Sequence, residues 1–110
     1  MSEILISNVE DLPGYTIDRH MGLVQGSCVR AKDFGRDMLA SLKNLVGGEL
    51  VTYTELLNES RQDALERMTR QARALGANAV INVRFTTANI APGAAEILAY
   101  GTAVVLRKNG

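Results

Sequence analysis

The chain carries few of the side chains that soft-metal chemistry needs. It has one histidine, His20, and one cysteine, Cys28, whereas zinc and related ions take imidazole and thiolate ligands in tetrahedral sets. Both residues lie in a segment rich in β-forming residues, and an extended strand would place them about 26 Å apart. Two ligands of one ion lie only about 3–4 Å apart. We therefore predict no metal site within one chain, and a ring of His20 or glutamate side chains at an oligomer axis stays open.

The sequence also lacks a recognisable catalytic group. Ser27 has no G-x-S-x-G pattern around it, and Cys28 has no histidine with an orienting third group beside it. Glu49, Glu55 and Glu96 could act in acid–base chemistry, but no pattern brings two of them together. We predict no catalytic residue, a small buried hydrophobic role for Cys28, and no ligand role for His20 within one chain.

Length and charge limit the classes of protein to which this chain can belong. A chain of 110 residues is predicted to form a single domain over 1–110. Twelve basic and twelve acidic residues balance, which argues against a nucleic-acid surface. No segment approaches the roughly 20 apolar residues that span a bilayer, and the N-terminus lacks a signal-peptide pattern. We expect a cytoplasmic protein without nucleic-acid or membrane partners.

Two segments have helical spacing of apolar residues. The first, 32–48, ends at a double glycine. The second, 52–76, opens with a Thr52–Glu55 capping box and ends at Gly76, where a glycine helix stop belongs. Its predicted buried stripe is Tyr53, Leu57, Ser60, Ala64, Met68, Ala72 and Leu75. We interpret the corner at Gly76 as a helix stop in preference to a ligand cradle.

The remaining segments predict strands. Residues 15–31 read as one long, bent strand or two short ones, and 79–86 alternate in polarity. A loop is predicted over 87–96, and 97–107 form a strand that is apolar on both faces. Such a strand must be covered on both faces, and a second copy of the chain could supply the missing cover. The predicted fold is α+β, a small antiparallel β-sheet packed on two helices in two layers.

A ligand site, if present, is expected on the polar side of the 79–86 strand. Asn82, Arg84 and Thr86 share one predicted face, and Arg84 has no acidic neighbour two residues away on its strand. An arginine on an otherwise apolar sheet needs a partner. The favoured partner is a carboxylate of a neighbouring subunit, and the alternative is an anionic ligand.

Four segments together resemble the YbjQ-like family of small bacterial and archaeal proteins. They are "GLVQGSCV" (22–29), "NLVGGELVTYTELL" (44–57), "QARALGANAVINVRF" (71–85) and "YGTAVVL" (100–106). The resemblance implies a fold similar to the dodecin subunit, assembly as a homopentamer, and a heavy-metal-binding label on an otherwise uncharacterised function. Tyr53 and Arg61 match the family pattern, whereas Asn82 stands where glycine is common.

Two functions follow as hypotheses. The first is a cytoplasmic homo-oligomeric, pentameric structural or binding module that holds a metal ion or small ligand between subunits. The second is an enzyme with an intersubunit active site for a small anionic substrate. The candidate ligand-binding residues are Tyr53, Arg61, Asn82 and Arg84. The cofactor is unspecified, since a metal ion rests on the family label alone.

Overall fold

A computed structural model describes residues 3–30, 51–91 and 94–110 of the chain. Its strands are β1 (Leu5–Ile6), β2 (Tyr15–Arg30), β3 (Ala79–Ala91) and β4 (Ala94–Lys108), and its helix is α1 (Val51–Ala74). The strands form one sheet in the order β1-β3-β4-β2. The α+β class is confirmed for the described residues, and the helix predicted at 32–48 lies outside them.

The sheet is mixed, which corrects the predicted purely antiparallel arrangement. β1 runs parallel to β3, while β4 pairs antiparallel with both β3 and β2. The N-terminal segment reaches β3 through bonds from the Leu5 amide to the Asn78 carbonyl, 3.1 Å, and from the Ser7 amide to the Val80 carbonyl, 3.0 Å. A two-residue strand has no periodicity of its own, so only its pairing with β3 defines it.

β2 is one continuous strand of 16 residues rather than two short ones. Its register against β4 shifts between Ile17 and Arg19 and again between His20 and Gly22. Extra residues of this kind bend a strand and increase its twist without ending the pairing. The glycine-containing segment is therefore a single bent strand.

The loop predicted over 87–96 was wrong. β3 continues to Ala91 and β4 already begins at Ala94, so only residues 92–93 separate the two strands. Thr86, Thr87 and Ala88 pair with residues of β4. This cross-strand pairing overrides the weak local preference of small and polar residues.

The end of α1 confirms the predicted helix stop. Gly76 has a left-handed φ of 87°. The Gly76 amide donates to the Arg73 carbonyl at 3.0 Å, and the Ala77 amide donates to the Ala72 carbonyl at 3.1 Å. These two bonds are the pattern of a Schellman motif. The corner therefore satisfies the last carbonyls of the helix with the chain's own amides.

α1 packs its small-residue stripe on one face of the sheet, here called the helix face. Ser60, Ala64, Met68 and Ala72 are all buried, as the stripe predicts. The helix lies so close that a Cβ built on Gly26 of β2 would stand 2.8 Å from the Arg67 carbonyl carbon. The helix-face core also contains Val24, Cys28, Val80, Val83, Ile97, Ala99 and Ala103. Leu75 lies beyond the helix and is 44% exposed, and the side chains of Tyr53 and of the capping box lie outside the described residues.

The opposite face of the sheet, here called the back face, has a smaller core of its own. It consists of Ala79, Ile81, Val104 and Leu106, with Leu12, Tyr15 and Ile17 packed against it. β4 is therefore apolar on both faces, as the sequence predicts, because its neighbouring residues Ala103 and Val104 enter different cores. Ala79 and Val104 are fully buried within a single chain, so a second copy is not needed to cover this half of the back face.

Candidate functional site

A bulge at Asn82 organises the middle of β3. Ile81 pairs with Thr102 and Arg84 pairs with Tyr100, so two residues of β3 face one of β4. Asn82 has a φ of 55°, a left-handed conformation that asparagine tolerates better than most residues. The predicted alternation through 79–86 is thereby broken. Ile81 enters the back-face core, whereas Val83 enters the helix-face core.

Arg84, immediately after the bulge, has partners within its own chain. Its Nη1 donates to the Asn8 carbonyl at 2.7 Å and to the carbonyl of the preceding residue, Val83, at 3.0 Å. The guanidinium therefore ties the N-terminal segment to β3. The sequence indicated a carboxylate or an anion as its partner, and backbone carbonyls hold it in the described structure.

Beside Arg84, the back face carries a partly exposed group of side chains, here called the back-face patch. Arg84, Tyr100 and Gln25 are paired neighbours across three strands, and Leu98 lies two residues from Tyr100 on β4. Leu23, which pairs with Thr102, completes the patch and is 69% exposed. Leu98 and Tyr100 are half-buried. The patch thus combines apolar side chains with one cation at its β3 end.

Of the four predicted ligand residues, the three whose side chains are described do not converge on one site. Arg61 lies on α1, where its Nη1 donates to Asn58 Oδ1 at 3.0 Å. Tyr53 belongs to the same helix, which packs on the helix face, and its side chain lies outside the described residues. Arg84 pairs with Tyr100, a residue of the back face. The sheet separates Arg61 from Arg84, and only Asn82 and Arg84 are neighbours.

The two soft-metal donors are also far apart. Cys28 is 2% exposed and belongs to the helix-face core, whereas His20 is exposed. They pair with Ile97 and Val104 of β4, and that separation corresponds to about 23 Å along a strand. The described residues contain no group of three His, Cys, Asp or Glu side chains placed to hold one ion. The donor set therefore does not fit a soft-metal centre inside one subunit.

Sequence reasoning missed the residues that make the back-face patch. Leu23 lies between Gly22 and Gly26 in β2. The two register shifts of this strand interrupt the regular alternation of its side chains between the two faces, so the sequence does not show which face Leu23 is on. Tyr100 was recognised as part of an apolar strand, but its position beside Arg84 follows from the bulge at Asn82.

Comparison with known proteins shows the family. A family model described as "Putative heavy-metal-binding" matches residues 4–107. A UPF0145 protein of Hahella chejuensis is 63% identical over 103 residues, covering 94% of this chain and 99% of its own. UPF0145 proteins of Thermus thermophilus and Archaeoglobus fulgidus are 56% and 54% identical over 104 and 105 residues. They cover 94% and 96% of this chain and 91% and 97% of their own.

A solved structure shares the fold. It is a protein of unknown function of the DUF74 family from Pediococcus pentosaceus, with a TM-score of 0.60 and 17% identity, covering 94% of this chain and 98% of its own. No described helix is long and apolar enough to cross a bilayer. The sequence resemblance is confirmed along nearly the whole chain, and the protein belongs to the YbjQ-like family of uncharacterised UPF0145 proteins.

Proposed function

We propose that this chain is the subunit of a homo-oligomeric binding module whose copies meet at the back-face patch. The exposure of Leu23, 69%, is the observation that carries the proposal. Half-buried Leu98 and Tyr100 extend the same surface on the central strand. Burying one leucine side chain contributes about 1.5–3 kcal/mol, so several such side chains per contact support a stable association.

The family resemblance suggests the finer features of this assembly. It implies five copies and a subunit of the dodecin kind, with the second helix predicted at 32–48. A cytoplasmic location is part of the same proposal. In a closed ring of five, the back-face patch of each copy would contact a different surface of the next copy, which creates equivalent pockets between subunits.

Such a pocket would bind a small anionic ligand through Arg84. This side chain lies at the edge of the patch. Its guanidinium carries five N–H donors, and Nη1 donates to two backbone carbonyls. Asn82 is its neighbour, while Tyr53 and Arg61 would have to come from the α1 helix of another copy. The enzyme alternative needs a carboxylate beside Arg84, whereas the described contacts of Arg84 are carbonyl oxygens.

A metal ion held between copies would use His20 rather than Cys28. His20 is exposed, whereas Cys28 is buried under α1. One imidazole from each copy around an axis would supply the ligand number that a single chain lacks. The test is thermal unfolding with zinc chloride. A rise in the melting temperature that is lost in His20→Ala and kept in Cys28→Ala supports this site, and no rise in the unmodified protein removes it.

Light scattering after size-exclusion chromatography tests the assembly. We expect the unmodified protein to have several times the chain mass of 11.9 kDa, and Leu23→Lys to shift toward the single-chain mass with an unchanged circular dichroism spectrum. Leu75→Lys is the matched control, because Leu75 is also exposed but lies at the end of α1. A stable single chain at micromolar concentration, or a Leu23→Lys protein that assembles normally, would contradict the proposal.

Leu23 is a sharper position for this test than Val104. Val104 is fully buried in the back-face core, against which Leu12, Tyr15 and Ile17 pack. A charge at Val104 would therefore lower the stability of the subunit itself. Leu23 is already mostly in contact with solvent in a single copy, so its replacement separates association from folding.

A further inference from the structure

Three consecutive backbone carbonyls of the N-terminal segment, those of residues 7–9, face the middle of β3. The first and the last accept backbone amides, from Val83 at 3.0 Å and from Asn82 at 3.1 Å. The carbonyl between them, that of Asn8, accepts Arg84 Nη1 at 2.7 Å. The two amide bonds fix the backbone on either side of Asn8, so its carbonyl holds the guanidinium at a defined position.

The guanidinium of Arg84 is oriented by neutral groups. Nη1 also donates to the Val83 carbonyl at 3.0 Å, and among the described side chains no ion pair includes Arg84. Carbonyl oxygens fix the direction of the fork and leave its positive charge in place. The edge formed by Nε and Nη2 has the geometry that binds two oxygens of a carboxylate or phosphate group.

The segment that supplies these carbonyls, residues 5–9 and here called the strap, is held mainly by its backbone. Its regular strand pairing is limited to the two residues of β1, and the Ser7 amide adds a bond to the Val80 carbonyl at 3.0 Å. Its three apolar side chains are between 43% and 48% exposed. Segments with few buried apolar contacts open locally without global unfolding. The strap can therefore open while the sheet stays folded.

We propose that the strap is a closing element of the anion site. Its closed state holds Arg84 in the orientation that binds an oxyanion, and the bound oxyanion in turn keeps the strap closed. The ligand class is a carboxylate or phosphate group at the Nε and Nη2 edge of Arg84. Such coupling is reciprocal, since a ligand that binds the closed state more tightly also raises its population. This coupling rests on the proposed anionic ligand at Arg84 and adds to it a conformational response.

The contacts of Nη1 determine the sign of the coupling. An oxyanion bound at Nη1 would compete with the Asn8 carbonyl and would open the strap. Nη1 carries two hydrogens and already donates to two carbonyls. The ligand oxygens are therefore expected at Nε and Nη2, where they leave the bond to Asn8 intact, so binding should close the strap.

Hydrogen exchange followed by NMR on the full chain tests the coupling. The Asn82 and Val83 amides report closure, because strap carbonyls accept them. With saturating sodium phosphate or sodium acetate, measured separately against sodium chloride of equal ionic strength, we expect both amides to exchange at least about fivefold more slowly. The Leu106 amide, which Asn78 holds, is the internal control and should not change. Unchanged or faster exchange of the two strap-bonded amides in the anion-bound protein overturns the coupling.

A substitution pair at one position supplies the second measurement. Ser7→Pro removes the amide that donates to Val80. Ser7→Ala keeps that amide and removes only the hydroxyl that accepts the Val9 amide at 3.2 Å. We expect Ser7→Pro to bind phosphate at least about fivefold more weakly, in a titration followed at the Arg84 Nε–H signal, and Ser7→Ala to bind as the unmodified protein does. Equal affinities of the two variants overturn the coupling.

Circular dichroism and light scattering check that both variants keep the fold and the mass of the unmodified protein. If Ser7→Pro does not fold, the exchange measurement on the unmodified protein decides alone. If neither anion binds, or if Arg84→Ala binds equally well, the anion site fails and the coupling fails with it. If an anion binds at Arg84 without slowing the two amides, only the coupling fails. A single chain that binds the anion and slows both amides removes the homo-oligomer and keeps the coupling.

Discussion

The side-chain amide of Asn78 makes two hydrogen bonds with the backbone of Leu106. Its Nδ2 donates to the Leu106 carbonyl at 2.9 Å, and its Oδ1 accepts the Leu106 amide at 2.7 Å. One side chain thus reproduces the pair of bonds that a residue of a neighbouring strand would make. It holds the corner after α1 against the end of β4, so this asparagine has a structural role.

Asn78→Ala should lower the free energy of unfolding by about 2–3 kcal/mol, because two bonds of roughly 1 kcal/mol each are lost in a partly buried place. Urea unfolding followed by circular dichroism measures this change. Asn89→Ala, at an exposed position of β3, is the control and should stay within about 0.5 kcal/mol. Equal effects of the two substitutions would rule out the proposed role of the Asn78 amide.

Gly26→Ala should destabilise the subunit by about 1–3 kcal/mol, the usual cost of added volume in a packed core. The new methyl group would meet the Ala64 carbonyl oxygen and the Met68 amide nitrogen, which are backbone atoms of α1. The helix would have to move away from β2. Thermal and urea unfolding measure the loss, with Ser27→Ala as the neighbouring control, and an unchanged stability would show that α1 can shift freely.

Asn82→Gly and Asn82→Val should change stability in different ways. Valine in a left-handed conformation costs about 1–2 kcal/mol, whereas glycine adopts the φ of 55° at Asn82 without strain. We expect Asn82→Gly to stay close to the unmodified protein and Asn82→Val to unfold at lower urea. The opposite order would mean that the bulge does not persist in solution.

Arg84→Ala should loosen the N-terminal segment while leaving the core in place. The bond from Arg84 to the Asn8 carbonyl is lost, and the segment next to it protects the Asn82 and Val83 amides. Those two amides should exchange faster, whereas the Leu106 amide, held by Asn78, should not change. Hydrogen exchange followed by NMR at individual amides measures this difference. Unchanged exchange at Val83 would contradict the proposed role of Arg84 in holding the N-terminal segment on β3.

Local patterns in the sequence predicted the elements whose causes are local. The stripe through Ala64, Met68 and Ala72 predicted the buried side of α1, and Gly76 predicted its end. The apolar residues at both parities of β4 predicted a strand covered on both faces, and its residues enter two cores. In each case the cause lies within a few neighbouring residues, since helix periodicity, strand alternation and helix stops are properties of short segments.

Tertiary pairing decided the rest, including the candidate site. The bulge at Asn82 moved Val83 to the other face of the sheet, and the N-terminal segment supplied the partner for Arg84. Pairing with β4 continues β3 to Ala91, although the small and polar residues after Thr86 predict a loop. Register and partner depend on residues distant in the chain, so periodicity shows which residues are buried but not which neighbours they meet.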